Sequence, residues 1–276
     1  MKLQTITTLA GYELRASLRN RWFGLYTVAF VALTGALSSL SLSGSGMFGF
    51  AGFGRTAASL INLVLLIVPL MGLTIGAQGL AGERESGTLG YLLTQPISRG
   101  EVLVGKLLGL GAALLAALLL GFGLSGLLIA YQGGTVEVQR YAALVGFSLL
   151  LALVTLSLGL FISAWSRSSA LAVGLALFVW LALVFFGDLG LMGTAIAMRM
   201  DIHTLFGLSL INPLQVFKIA TVNALRASLE VLGPAGIYAT RTYGQALVAM
   251  LAAILAAWIV VPMLGAYVRF RMEGDF

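Results

Sequence analysis

Two patterns in this chain hold residue types that could carry chemistry. The first is Gly100-Glu101-Val102-Leu103-Val104-Gly105-Lys106, which spells G-x-x-x-x-G-K, the opening of a phosphate-binding loop. Such a loop needs a strand before it and a Ser or Thr after the lysine to ligate magnesium. Here Leu107 follows, and the chain beyond it carries no charge as far as Val136. The chain is therefore expected to hydrolyse no ATP itself and to carry no cofactor of its own. The second pattern is Met198, Met200 and the single histidine, His203. Thioether and imidazole suit Cu(I). Methionine is also a common apolar filler, and a lone histidine near an interface is often only a polar surface group. No metal site is assigned to them.

Other chemistries are excluded by what is missing. With no cysteine, disulfides, thiolate nucleophiles, zinc-thiolate sites and iron–sulfur clusters fall away. Ionisable residues inside membrane spans mark ion pathways, and the cores of the spans assigned below are read as containing none. That argues against an ion-coupled carrier. An intramembrane Ser–His dyad would need a histidine at membrane depth, and His203 lies outside it. Neither a channel filter nor an internal repeat is visible.

The elements that would position these residues follow from composition. The chain has 276 residues, 59% hydrophobic and 9% charged, with a mean hydropathy of +1.02. Soluble domains are about 25% charged, so this is an all-α integral membrane protein. Six stretches of at least 20 residues lack Lys, Arg, Asp and Glu, enough for one spanning helix each. The expected spans are 22–42, 57–81, 105–131, 141–163, 169–187 and 245–267. Lys2, Arg15, Arg19, Arg21, Arg84, Arg99, Lys106, Arg167, Arg269 and Arg271 fall on one side, against Arg55 and Arg140 in the opposite short loops. The positive-inside rule then gives both termini inside. The net charge of +6 is thus a topology signal, and no nucleic-acid partner is implied. Residues 1–21 are not a signal peptide, because Glu13, Arg15 and Arg19 interrupt them. Leu3, Ile6, Leu9, Ala10, Leu14 and Leu18 recur at helical spacing and predict an amphipathic helix in the inner interface.

The cytoplasmic segment 82–104 is the most informative. Thr88 to Thr94 can form a short helix ended by Pro96. Ser98 and Glu101 make a capping box, stapled by Ile97 and Val102. This predicts a helix–break–helix knuckle that exposes Leu89, Leu92 and Leu93 to a partner, or rests them on the membrane surface. The pattern Glu83-x-x-x-Gly87-Thr88-Leu89-x-x-Leu92-Leu93-x-x-Pro96-x-x-Arg99, then Gly105-Lys106, resembles the coupling region of ABC exporter permeases of the ABC-two class. The resemblance covers the whole chain in topology. It implies one transmembrane domain over 1–276, with an elbow helix at 1–21, a coupling region at 82–104 and an extracytoplasmic segment at 188–244. It further implies a separate cytosolic ABC ATPase that binds ATP and Mg and is contacted by Glu83, Glu85, Gly87, Thr88, Leu89, Leu92, Leu93, Pro96 and Arg99. Glu83 and Glu85 would meet basic groups there, while the leucines fill a groove.

In the outside segment, Asn212 can N-cap a helix, Pro213 suits its first position and Gly233-Pro234 stops it. Leu214, Phe217, Thr221, Leu225, Leu229 and Leu232 form one stripe; Gln215, Lys218, Asn223, Arg226 and Glu230 form the other. An amphipathic helix on the outer interface is expected, bound to the membrane or to a soluble partner. Asp188, Asn212-Pro213-x-x-x-Phe217-Lys218 and Arg19-Asn20-Arg21-Trp22 resemble the Nos-type permeases. That likeness implies a homodimer, a NosF-like ATPase, a periplasmic NosD-like partner meeting Asn212, Pro213, Phe217 and Lys218, a bacterial inner-membrane location and a role in maturing the copper centre of nitrous oxide reductase. Other exporters of lipid, drug or polysaccharide share this architecture, and a passive membrane scaffold is the reading from outside the transporter class. Gly72-x-x-x-Gly76, Gly105-x-x-x-Gly109 and Gly121, Gly123 and Gly126 are expected to serve close intramolecular helix packing. Thr74, Gln78, Thr155 and Ser157 are the polar groups best able to face a pathway.

Overall fold

A computed structural model describes residues 3–43, 49–131, 138–187, 202–225, 242–244 and 246–272. Among them every regular element is a helix: α1 (Leu3–Arg19), α2 (Arg21–Ser43), α3 (Gly49–Glu85), α4 (Thr88–Leu93), α5 (Arg99–Tyr131), α6 (Val138–Trp165), α7 (Ser169–Phe185), α8 (Ile202–Ser209), α9 (Pro213–Ala224) and α10 (Ala246–Met272). Five of these, α2, α3, α5, α6 and α10, are long and apolar enough to cross a membrane, and up to six if the bent α8–α9 pair counts as one span. The expected fifth span, 169–187, is α7, which has 17 residues and spans about 25 Å.

Each helix starts and stops for local reasons. The Asn20 side chain accepts the Trp22 amide at 2.9 Å and so separates α1 from α2. Ser168 caps α7, and Asn212 caps α9 with Pro213 in its first turn. In α3, α5 and α10 the helix outlasts the apolar stretch, because nothing in the flanking polar sequence breaks it.

The bundle is built on α3 against α6. A Cβ on Gly76 would lie 2.9 Å from the Gly159 Cα and 2.5 Å from the Leu156 carbonyl oxygen. Backbones this close need glycine on both sides. Gly121 likewise seats the Phe30 ring, Gly105 seats Leu9, and Gly109 meets the Ala10 carbonyl. The expected role of these glycines as packing sites within one chain holds, except that Gly123 faces open space. Helix α1 packs on α5, α2 on α5 and α3, α10 on α6, and α7 on α3. Leu120, Leu127, Phe178, Val261 and Leu264 are exposed, while Leu60, Met71, Leu118 and Leu156 are buried. Large apolar side chains on the outside are what a lipid solvent permits.

The polar groups thought able to line a pathway mostly bond within their own helices. Thr74 donates to the Leu70 and Met71 carbonyls, and Thr155 to those of Leu151 and Ala152. Ser157 donates to the Val154 and Trp258 carbonyls, tying α6 to α10. Gln78 is half-buried and borders a cleft.

Helix α9 corrects the expected surface helix. It is inserted among α3, α6, α7 and α10, bent by 109° from α8, with residues Pro213 to Phe217 and Ile219 to Val222 buried. Val216, Ile219, Ala220 and Val222 widen the apolar surface well beyond the 214–217–221 stripe and draw the helix into the bundle, leaving Lys218 and Asn223 half-buried. The helix also ends at Ala224 rather than near Leu232, and Arg226, Leu229, Glu230 and Leu232 lie outside the described residues.

Candidate functional site

The segment between α3 and α5 folds as the predicted knuckle. Helix α3 stops because Gly87 takes φ 74°, a left-handed conformation that costs glycine little. The Ser86 amide then donates to the Gly82 carbonyl and the Gly87 amide to that of Arg84. Helix α4 follows as a single six-residue turn-and-a-half, Thr88–Leu93. The capping box is formed in both directions: the Ser98 amide donates to Glu101 Oε2 at 3.0 Å, and the Glu101 amide to Ser98 Oγ at 3.3 Å. Ile97 packs in the same small core as Val102, together with Leu80, Leu89, Leu103, Ala164, Ala266 and Phe270.

The leucines do not stand out toward a partner as expected. Leu89 is 2% exposed and Leu92 is half-buried against the same core. The side chain of Leu93 lies outside the described residues. A six-residue helix on the end of a bundle must bury one face to persist, and its leucines provide that face. The surface left over is Thr88, Gly90, Tyr91, Thr94, Gln95 and Pro96, with Tyr91 74% exposed.

The charged residues assigned to a partner are likewise engaged within the chain. Glu85 Oε2 accepts the Ser169 amide at 2.8 Å, at the start of α7, where a carboxylate complements the helix dipole. Arg99 donates to the Phe270 and Arg271 carbonyls at 2.9 and 2.8 Å and lies over the Phe270 ring. It thereby caps the last turn of α10. Arg84 does the same for α6, donating to the Ser166 carbonyl.

Glu83 joins a buried cluster. Lys106 Nζ sits 2.5 Å from Glu13 Oε1 and 2.6 Å from Glu83 Oε1, and Lys106 is 1% exposed. Three elements meet there: α1, the last turn of α3 and the second turn of α5. Lys106 falls outside the span cores read as free of ionisable residues. It lies at the edge of the expected third span, and its charge is tolerated because two carboxylates meet it. The G-x-x-x-x-G-K motif lies within α5, so it makes no phosphate-binding loop. Gly105 of the motif, with Gly109 one turn on, instead lets α1 approach α5 closely enough for Glu13 to reach Lys106, while Gly100 faces Tyr267 of α10. In α1 the buried positions are Ile6, Glu13 and Ser17, while Leu3 and Leu18 are exposed. The signal available in sequence was a charge on the buried arc of an amphipathic helix, together with a lysine directly after a small-residue motif.

At the other end, Asn212 Oδ1 accepts the Leu214 amide and Asn212 Nδ2 donates to the Leu183 carbonyl. Phe217 is fully buried and Pro213 is buried. Neither offers a contact surface to an outside partner, contrary to expectation, whereas Lys218 and Asn212 are half-buried. His203 is exposed; Met198, Met200 and Asp188 lie outside the described residues.

The chain matches a family model described as "ABC-2 family transporter protein" over residues 7–274. It is 32% identical over 275 residues to a protein of Stutzerimonas stutzeri named "Probable ABC transporter permease protein NosY", covering 98% of this chain and 99% of that one. It is also 32% identical over 232 residues to a protein of the same name from Pseudomonas aeruginosa PAO1, covering 82% and 84%.

Proposed function

This chain belongs to the ABC-2 family of transporter proteins, and on that footing we propose that it is the NosY-like permease subunit of an ATP-driven exporter. The observation that carries the reading is the knuckle between α3 and α5, capped at both ends and tied to α7 and α10. A surface meant to transmit motion must be rigid and must connect to the elements it moves. Tyr91 and the exposed turn Thr94-Gln95-Pro96 are the contact surface for a cytosolic ATPase. Leu89, Arg99, Glu83 and Glu85 hold that surface to the bundle.

In this reading α1 is the elbow helix, both termini are cytosolic and the membrane is a bacterial inner membrane. Two copies of the chain pair in it. ATP and Mg bind on a NosF-like ATPase, whose closure draws the two knuckles together. The near full-length likeness to proteins named NosY supports a role beside a periplasmic NosD-like partner in maturing the copper centre of nitrous oxide reductase.

The experiment is purification through a C-terminal tag in mild detergent, with mass spectrometry of what co-purifies. A stoichiometric P-loop ATPase together with a periplasmic partner is expected. Recovery of the chain alone, from membranes that contain such an ATPase, would return the protein to the scaffold reading.

A further inference from the structure

A cleft of about 240 Å³ lies between the α1–α2 corner and the C-terminal half of α3. Its walls are mixed. Ser17, Asn20, Thr74, Gln78 and Ser86 contribute hydrogen-bonding groups; Trp22, Phe23 and Tyr26 contribute three aromatic rings; Glu13 and Glu83 contribute two carboxyl groups; among the described residues no Lys, Arg or His lines it. The two carboxyl groups are those that hold Lys106, and burial pushes the Glu83 carboxyl above its ordinary range. Glu83 Oε2 is buried and has no hydrogen-bond partner among the described residues. An acceptor oxygen shielded from water and unsatisfied is costly. A cation in the cleft would favour the charged form of Glu83.

Size and surroundings say what carries that cation. Small-molecule sites are usually larger, from about 300 Å³ upward, so this cleft fits a head group better than a whole ligand. From its mouth the exposed side chains of Trp22, Leu25 and Val28 run along α2, an apolar strip for a hydrocarbon tail. Aromatic rings beside a carboxylate are a known environment for organic ammonium groups.

We propose that this cleft binds the ammonium head of an amphiphile, with Glu83 as the counter-ion, the Trp22–Phe23–Tyr26 rings as its wall and the tail lying along α2. The source is either an amine-bearing membrane lipid or a free amphipathic cation. The site does not depend on what the protein transports.

The test uses the full chain in dodecyl maltoside and follows the anisotropy of rhodamine 6G, a fluorescent amphipathic cation. Three variants accompany the wild type. Gly82→Phe fills the cleft from a position where an added Cβ meets nothing within 4 Å. Glu83→Gln removes the charge but keeps the shape, and Trp22→Ala removes an exposed part of the wall. Thermal midpoints establish that each variant is folded, and the two cleft-wall variants stand in for Glu83→Gln if the loss of the Lys106 contact unfolds it. Saturable binding is expected in the wild type, weakened about tenfold by Glu83→Gln or Trp22→Ala and abolished by Gly82→Phe. Displacement by phosphatidylethanolamine would assign the site to a lipid; displacement by dodecylamine alone would assign it to a free cation. Equal binding by all four proteins, or equal displacement by dodecanol, which has the tail without the charge, would overturn the proposal.

Discussion

The Lys106 ammonium lies 2.6 Å from the Glu83 carboxylate, across a turn of 23 residues that contains the whole knuckle. The base of the loop is thereby closed by an ion pair, and Glu13 brings α1 into the same contact. Any displacement of the end of α3 relative to α5 must either carry α1 with it or break this pair.

Removing the lysine should therefore be more damaging than removing the whole cluster. Lys106→Met leaves two carboxylates facing each other in a buried site, and breaking a buried pair costs about 3–5 kcal/mol. The triple change Glu13→Gln, Glu83→Gln and Lys106→Met leaves no surplus charge and should recover most of the loss. Thermal unfolding in detergent reads both. A single variant as stable as wild type would mean that water reaches the site freely.

At the knuckle, Tyr91→Ala and Leu89→Asp should fail in different ways. Tyr91 is 74% exposed, so its loss should leave the melting midpoint within about 0.5 kcal/mol of wild type while weakening ATPase binding tenfold or more. Leu89→Asp buries a charge in the small core and should lower the midpoint first. If both variants bind the ATPase normally, the knuckle is not the docking surface.

The glycines separate packing from propensity. Gly159→Leu would force α3 and α6 apart, since even a Cβ there meets the Leu73 carbonyl and the Gly76 Cα within 2.9 Å; little folded protein is expected in membranes. Gly123→Ala meets nothing and should stabilise α5 by up to about 1 kcal/mol. Expression and melting midpoint check the pair.

Because the chain has no cysteine, single cysteines can be labelled without background. Tyr91→Cys should react with an impermeant maleimide only in inside-out vesicles, and His203→Cys only in right-side-out ones. Phe217→Cys should react in neither, because Phe217 is fully buried. Labelling of both Tyr91→Cys and His203→Cys from one face would overturn the proposed orientation.

Arg99→Ala should loosen the last turn of α10, whose Phe270 and Arg271 carbonyls it holds. Faster amide exchange over 268–272 is the expected readout, with the rest of α10 unchanged.

Much of the architecture was legible in the residues because its causes are local. Apolar runs near 20 residues must be helices in lipid, since only a helix satisfies its own backbone there. The Ser98–Glu101 box and the Asn212–Pro213 start depend on neighbours two or three residues away, and both formed as expected. What only the tertiary structure decided was the destination of each side chain. Sequence spacing places Leu89, Phe217, Glu83 and Arg99 on a helix face, but it does not say whether that face meets a neighbouring helix or the outside. Leu89 and Phe217 went into cores, and Glu83 and Arg99 into bonds with Lys106 and α10. The contacts responsible join residues 23 to 172 positions apart, and no periodicity in the chain records them.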